Sequence, residues 1–239
     1  MDTERSFGMT KGIFIIGTGT DVGKTYVTAL LVKKLKELGI LVGYYKGAIS
    51  GARSMEESDA GYVKRVAGLE QEEHTLVSYL YQNAVSPHLA SKLEGNPVQL
   101  KKVKEDFQKV AEEHDFVVME GSGGIVCPIR YDEEEKIFLE DFIKELGLDT
   151  ILVAEAGLGT INAVVLTVEY LRQKRIGIQG IFINRYTGSE MERDNIKMIE
   201  EITKVPVLSV IAPNAKEILL EETMIDRIRK TGAWEKEKQ

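Results

Sequence analysis

Two lysines, two carboxylates and a threonine stand in this sequence where they could bind phosphate and assist its transfer. Lys24 and Thr25 close the stretch Gly17-Thr18-Gly19-Thr20-Asp21-Val22-Gly23-Lys24-Thr25. Its glycines let several backbone N–H groups turn toward one anion, because glycine takes positive φ without a Cβ clash. Lys24 would reach the outer phosphates of a nucleotide, and the Thr25 hydroxyl would ligate Mg²⁺. Five residues separate Gly17 from Gly23, one more than in the usual phosphate loop, and Thr18 holds the four-residue position. A dinucleotide fingerprint fits worse, since Gly17, Gly19 and Gly23 leave three residues where it needs two, and it has no use for the lysine. Lys46 and Glu120 each follow an apolar run, and Glu120 leads into Gly121-Ser122-Gly123-Gly124. A carboxylate at a strand tip, with glycines beyond it to let another group approach, suits a second acid on the Mg²⁺ side of a nucleotide site. Asp59 falls in the first turn of an expected helix. Plainer readings exist for each: a solvated strand-end lysine, a glutamate on an exposed glycine turn, and an aspartate complementing a helix dipole.

These side chains need strands and helices to aim them. Gly12-Ile13-Phe14-Ile15-Ile16 is apolar throughout, as a parallel strand buried on both faces must be. Val27, Leu30, Leu31, Leu35 and Leu38 then mark one helical face, with Gly39 as its stop. Residues 40–45 read as a second strand that delivers Lys46 at its C-terminal end, where open α/β sheets bind ligands. A polar loop over 47–53 and a helix over 58–67 follow, and residues 69–98 are less regular, with Pro87 opening a short helix. An amphipathic helix runs from Leu100, marked by Val103, Phe107, Val110 and Ala111, before a buried strand at 116–119. The pattern continues as a solvated turn at 132–136, a helix over 137–147 and a strand at 150–154. Gly157-Leu158-Gly159-Thr160-Ile161-Asn162 opens a further helix, and its glycines and Asn162 could form a second anion cradle suited to a carboxylate. A strand at 178–183 ends in Asn184, and helix 190–204, strand 207–211 and helix 216–230 complete the alternation. Strands alternating with helices predict an α/β fold, a mostly parallel sheet covered by helices on both faces. Residues 1–10 read as a loose leader, 11–232 as a single domain and 233–239 as a frayed tail.

Composition narrows the function classes. The chain has 239 residues, 43% hydrophobic and 29% charged, which suits one large soluble domain. A formal net charge of −7 argues against nonspecific binding to nucleic acid or to an anionic membrane. No apolar run is long enough to span a bilayer. The single cysteine, Cys127, excludes an internal disulfide and a cysteine zinc cluster, points to a reducing cytoplasm and reads as a packing residue. His74, His88 and His114 lack Cys, Asp or Glu at ligand spacing and read as surface or packing residues.

Taken as an ordered set, the extended loop, Tyr45-Lys46-Gly47-Ala48-Ile49-Ser50-Gly51, Ser58-Asp59-Ala60, Ser86-Pro87-His88-Leu89-Ala90, Glu120-Gly121-Ser122-Gly123-Gly124 and Asn184 closely resemble the dethiobiotin synthetases of biotin biosynthesis, from about residue 12 to 215. The resemblance implies a P-loop NTPase-like fold, and a reaction in which 7,8-diaminopelargonate takes up CO₂ or bicarbonate as a carbamate, ATP phosphorylates it, and the second amine closes a cyclic urea. It implies that Lys24 and Lys46 neutralise the transferring phosphoryl group and the carbamate, while Thr25, Asp59 and Glu120 hold Mg²⁺. ATP would lie against Thr20, Asp21, Val22, Gly23, Lys24, Thr25, Tyr26 and Gly121, Ser122, Gly123. Asn184, with Arg185 beside it, would hydrogen-bond adenine, and the backbone at Ala212, Pro213 and Asn214 would complete the base pocket. Thr20 and Ser50 would touch the diamine or its carbamate. Gly157, Gly159, Thr160 and Asn162 would receive the substrate carboxylate from the partner subunit of a homodimer. Two positions depart from the family: Gly47 replaces its proline, which predicts a looser loop around Lys46, and Ser122 replaces its alanine. Tyr186 is near the place of the family's substrate-binding tyrosine. Two rivals fit less well. Related amide-forming synthetases carry an appended glutaminase domain, and partitioning-type ATPases that act as nucleotide switches want another lysine early in the loop, where Thr18 to Val22 have none.

Overall fold

The computed structural model describes residues 12–223, 225 and 226. Seven strands form one sheet: β1 (Gly12–Gly17), β2 (Val42–Ser50), β3 (Val77–Tyr81), β4 (Phe116–Glu120), β7 (Asp149–Glu155), β8 (Ile178–Asn184) and β9 (Val207–Ile211). Their order is β3-β2-β4-β1-β7-β8-β9, and every pairing in the sheet is parallel. The remaining two, β5 (Pro128–Tyr131) and β6 (Lys136–Phe138), pair antiparallel as a hairpin. β1 is buried at all six positions, so both its faces need cover. Ile13 and Ile15 face a cluster built from α1 (Lys24–Glu37) and α2 (Asp59–Ala67). Phe14 and Ile16 face the opposite cluster, to which α3 (Pro87–Leu93), α4 (Leu100–Glu113), α5 (Leu139–Leu146), α6 (Thr160–Gln173) and α7 (Glu190–Thr203) contribute. Each fully buried Ile or Phe of this strand stabilises the fold by roughly 1.5–3 kcal/mol. Among the described residues no helix is long and apolar enough to cross a membrane.

The doubly covered parallel sheet agrees with the sequence reading, and four elements differ from it. β2 runs to Ser50, so Lys46 lies inside the strand rather than at its end. Residues 47–50 stay extended because β3 pairs with them on the far side, from Lys46↔Val77 to Ser50↔Tyr81. That partner, Val77-Ser78-Tyr79-Leu80-Tyr81, falls in the stretch read as irregular. Residues 136–138 form β6, and the helix expected from 137 begins at Leu139. The solvated turn at 132–136 joins the two strands of the hairpin, where Asp132 Oδ1 accepts from the Glu134 and Glu135 amides. Residues 216–221 are not helical, contrary to the helix expected over 216–230, and helical residues begin at Glu222. The leader at 1–10, the tail at 233–239 and most of that last helix lie outside the described residues.

Candidate active site

The glycine loop leaves the central strand and feeds α1, so the first helical N–H groups face the space above the sheet. Gly23 caps the helix at φ 87, and a Cβ there would lie 2.1 Å from Asn184 Nδ2. Only glycine fits that position. Asn184 in turn donates to the Val22 carbonyl at 3.0 Å, and Arg185 Nη2 donates to the Asp21 carbonyl at 3.1 Å. The end of β8 therefore braces the loop from one side. Lys24 Nζ folds over it and donates to the Gly19 carbonyl at 3.0 Å. The Tyr26 hydroxyl reaches the Ala215 carbonyl, which ties α1 to the turn at 212–215.

β2 and β4 supply the charged centre. Their register places Lys46 beside Glu120, and Lys46 Nζ donates to Glu120 Oε1 at 2.8 Å and to Asp59 Oδ2 at 2.5 Å. Thr25 Oγ1 donates to the same Glu120 oxygen at 2.7 Å. Asp59 is the first residue of α2, positioned by Ser58, whose Oγ accepts from the Gly61 amide at 3.1 Å. The Lys46 side chain is 4% exposed and that of Glu120 0%, while Asp59 is 45% exposed. Burial pulls the Lys46 ammonium toward neutrality, but the charges of Glu120 and Asp59 outweigh it and hold it above its ordinary value. Asp59 is held below the usual carboxylate range, because the charge and hydrogen bond of Lys46 overcome the effect of burial. Lys24 moves the other way, lowered by burial and by the neighbouring Lys46 charge. The centre thus holds one firmly protonated cation and a second that is easier to neutralise.

A cavity of about 1070 Å³ opens over these groups, enough for a nucleotide and a small second substrate. Thr20, Asp21, Gly23, Lys24, Thr25, Tyr26, Lys46, Ser50, Asp59, Glu120, Ser122, Gly123 and Arg185 all line it, as do Ser86 and Pro87. Val22, Gly121 and Asn184 are buried and do not line it; they support residues that do. Ala212, Pro213 and Asn214 are exposed at the end of β9, outside the cavity lining. Gly157, Gly159, Thr160 and Asn162 gather at the N-terminus of α6, also away from it. Thr160 is buried there, and its Oγ1 has no hydrogen-bond partner among the described residues.

The departure at Gly47 does not loosen Lys46. Gly47 is buried inside β2, and a Cβ on it would stand 2.6 Å from Phe142 Cε2. The ring of α5 fills the place a larger residue would take. Ser122 adds a tie of its own, donating to the Ala48 carbonyl at 2.8 Å. Cys127, read as packing, is buried but also lines the cavity, and burial pushes its thiol up to about 11. His114 packs beneath Gly43, with its Nδ1 at 2.7 Å from the Val110 carbonyl, while His74 is exposed and His88 half-buried. Residues unmarked by the sequence also belong to the site: Tyr44 contacts Glu120, and Glu56, Glu57, Tyr62 and Arg65 line the mouth. Tyr44 is two residues from Lys46 in a strand, and the alternation of side chains would have placed both on one face.

Thr25, Asp59 and Glu120 bring hydroxyl and carboxylate oxygens to one point, and such hard donors suit Mg²⁺. A parallel sheet whose central strand opens into a glycine loop ending in Lys24 and Thr25 defines a P-loop nucleotide-binding protein. A family described as "AAA domain" matches residues 11–218. The chain is 50% identical over 204 residues to the ATP-dependent dethiobiotin synthetase BioD of Brachyspira hyodysenteriae, covering 85% of this chain and 92% of that one. It is 46% identical over 208 residues to the protein of the same name from Clostridium novyi, with 85% and 87% covered. The chain belongs to the family of ATP-dependent dethiobiotin synthetases, enzymes of the ligase class. Solved structures share the fold at low identity. The MinC:MinD cell division protein complex of Aquifex aeolicus superposes with a TM-score of 0.54 at 15% identity, covering 92% of this chain and 86% of that one. The septum site-determining protein MinD complexed with Mg-ADP, from Pyrococcus horikoshii, gives 0.50 at 20% identity, with 85% and 82% covered.

Proposed function

We propose that this protein joins 7,8-diaminopelargonate to CO₂ with consumption of ATP, forming dethiobiotin, ADP and phosphate. One amine nitrogen adds to the carbon of CO₂ and loses a proton, leaving a carbamate. A carbamate oxygen attacks the γ-phosphorus and ADP departs. The second amine then attacks the carbonyl carbon of the carbamic-phosphoric anhydride, loses its proton and expels phosphate as the ring closes. The observation that carries this reading is Lys46, buried beside the phosphate loop and fixed between Glu120 and Asp59. A reaction whose nucleophile belongs to the substrate needs no serine, cysteine or histidine from the protein. It needs in-line placement and fixed positive charge.

Lys24 and Lys46 would meet the phosphoryl and carbamate charge, and Thr20 and Ser50, both in the cavity wall, would contact the diamine or its carbamate. Mg²⁺ bound with the nucleotide would neutralise phosphate charge, and Thr25, Asp59 and Glu120 are the residues that would hold it. Adenine would lie against Asn184, Arg185 and the 212–214 backbone, on the side that Tyr26 ties to the loop. The substrate carboxylate would be received by Gly157, Gly159, Thr160 and Asn162 of a second subunit in a cytoplasmic homodimer. Two features support that assignment: the unpartnered Thr160 hydroxyl, and exposed apolar side chains in the turn before α6 and midway along it, Leu158 at 93% and Leu166 at 62%.

The test is Mg-ATP and bicarbonate with and without 7,8-diaminopelargonate, following phosphate and dethiobiotin together. Diamine-dependent release of both in equal amounts is expected. Phosphate release that ignores the diamine and yields no dethiobiotin would refute the substrate assignment.

A further inference from the structure

The two oxygens of Glu120 are used differently. Oε1 takes the contacts of the site, from Thr25 at 2.7 Å and Lys46 at 2.8 Å. Oε2 takes one from Tyr44, whose hydroxyl donates to it at 3.0 Å. Tyr44 is fully buried among the α1 and α2 side of the core, in register with Val118, two residues before Lys46 and Glu120 face each other. Its backbone is fixed as well. The register with β3 starts at Lys46, and at Tyr44 the side chain of Gln71 takes the place of that strand. Gln71 Oε1 accepts from the Tyr44 amide at 2.9 Å and its Nε2 donates to the Tyr44 carbonyl at 2.9 Å. Gln71 is itself buried and held by Thr75 Oγ1 at 3.0 Å. A clamped backbone and a packed ring leave the phenol one place for its hydroxyl.

We propose that Tyr44 is a positioning residue of the phosphoryl-transfer site: by holding Glu120 Oε2 it leaves Oε1 to face Thr25, Lys46 and a metal–nucleotide complex. This rests on the reading of Glu120 as an acid on the Mg²⁺ side. Without the hydroxyl, the carboxylate can rotate about its terminal bond, and its second oxygen is buried without a donor.

Tyr44→Phe removes that hydroxyl alone. With ADP as nucleotide, Mn²⁺ affinity read from the electron paramagnetic resonance signal of free Mn²⁺ should fall about 10-fold or more, and kcat by a similar factor. ADP affinity without metal should stay unchanged. Tyr45→Phe is the control, since that hydroxyl lies on the opposite sheet face against Ser78 Oγ at 2.5 Å and Val103 O at 3.2 Å. It should leave Mn²⁺ affinity and kcat at the wild-type level whatever it does to Tm. In a Glu120→Gln background, Tyr44→Phe should change Mn²⁺ affinity no further. Wild-type Mn²⁺ affinity in Tyr44→Phe, with or without a lower Tm, overturns the proposal. Should that variant not fold, 3-fluorotyrosine at position 44 keeps the hydroxyl and alters its donor strength; a shifted Mn²⁺ affinity supports the proposal and an unshifted one overturns it. A wild type that binds Mn²⁺ with ADP yet makes no dethiobiotin removes the substrate assignment and leaves the role of Tyr44 standing. A wild type that makes dethiobiotin yet binds no Mn²⁺ with ADP removes the role of Tyr44 and leaves the substrate assignment standing.

Discussion

Lys46 shows how much of the site is electrostatic. A buried ammonium is costly alone, and here Glu120 and Asp59 stand within 2.8 Å of it. Replacing one member of such a buried pair typically costs about 3–5 kcal/mol, since the other is left without its counter-charge. Lys46→Ala should therefore lower Tm as well as slow the reaction. Removal of one fixed positive group from a phosphoryl-transfer centre is expected to reduce kcat by about 100-fold or more. Steady-state phosphate release by folded variant protein checks this, and near-normal turnover would end the assignment. Lys24, Thr25, Asp59 and Glu120 were readable because each sits where the chain changes from strand to turn or from turn to helix. Gln71 was not, and although strand alternation puts Tyr44 on the face of Lys46, its carboxylate partner was not readable either, since these contacts join segments far apart in sequence. Tyr44 meets a carboxylate 76 residues away.

Elements hold these residues through their ends. Ser189 and Glu192 form a capping box at the start of α7, directly after the loop that carries Arg185 and Tyr186. Glu192 Oε2 accepts from the Thr187 amide and hydroxyl, both at 2.9 Å, and from the Ser189 amide at 3.0 Å. Burial would raise its carboxyl, but these hydrogen bonds to Ser189 and Thr187 prevail and hold it below 4.5. The unfolded chain therefore binds the proton more readily than the native one. The stabilisation is fully present above about pH 4.5 and is lost as pH falls through the folded value. Glu192→Gln lacks this dependence. Urea unfolding of both proteins at several pH values should show a wild-type advantage at neutral pH that shrinks on acidification, and a gap independent of pH would reject the account. The capping pattern illustrates why the start of α7 was legible while β3 was not. A cap is written within four residues, whereas the identity of β3 as a strand depends on β2 beside it.

At the scale of the molecule, the sheet order sets which segments can share a site. With β1 central and β4-β2 on one side, the glycine loop, Lys46, Asp59 and Glu120 converge at one edge. The alternation of strands and helices made the parallel sheet legible, but strand order cannot be read from alternation alone. The same geometry places the 157–162 segment at the N-terminus of α6, outside the cavity lining of its own chain. If that segment completes the site of a second subunit, two inactive variants with defects in different places should rescue one another. Lys46→Ala disables the phosphoryl centre, and Asn162→Glu sets a negative charge against an incoming carboxylate at an exposed position. A mixed dimer would keep one site with both intact parts. After subunit exchange in an equal mixture, half the dimers would be mixed, so dethiobiotin formation should recover to about a quarter of wild type. Two sites each built within one chain would give no recovery, because neither parent contributes a complete one. Demonstrated exchange, by mass spectrometry of isotope-labelled subunits, without recovered activity would therefore place the carboxylate elsewhere.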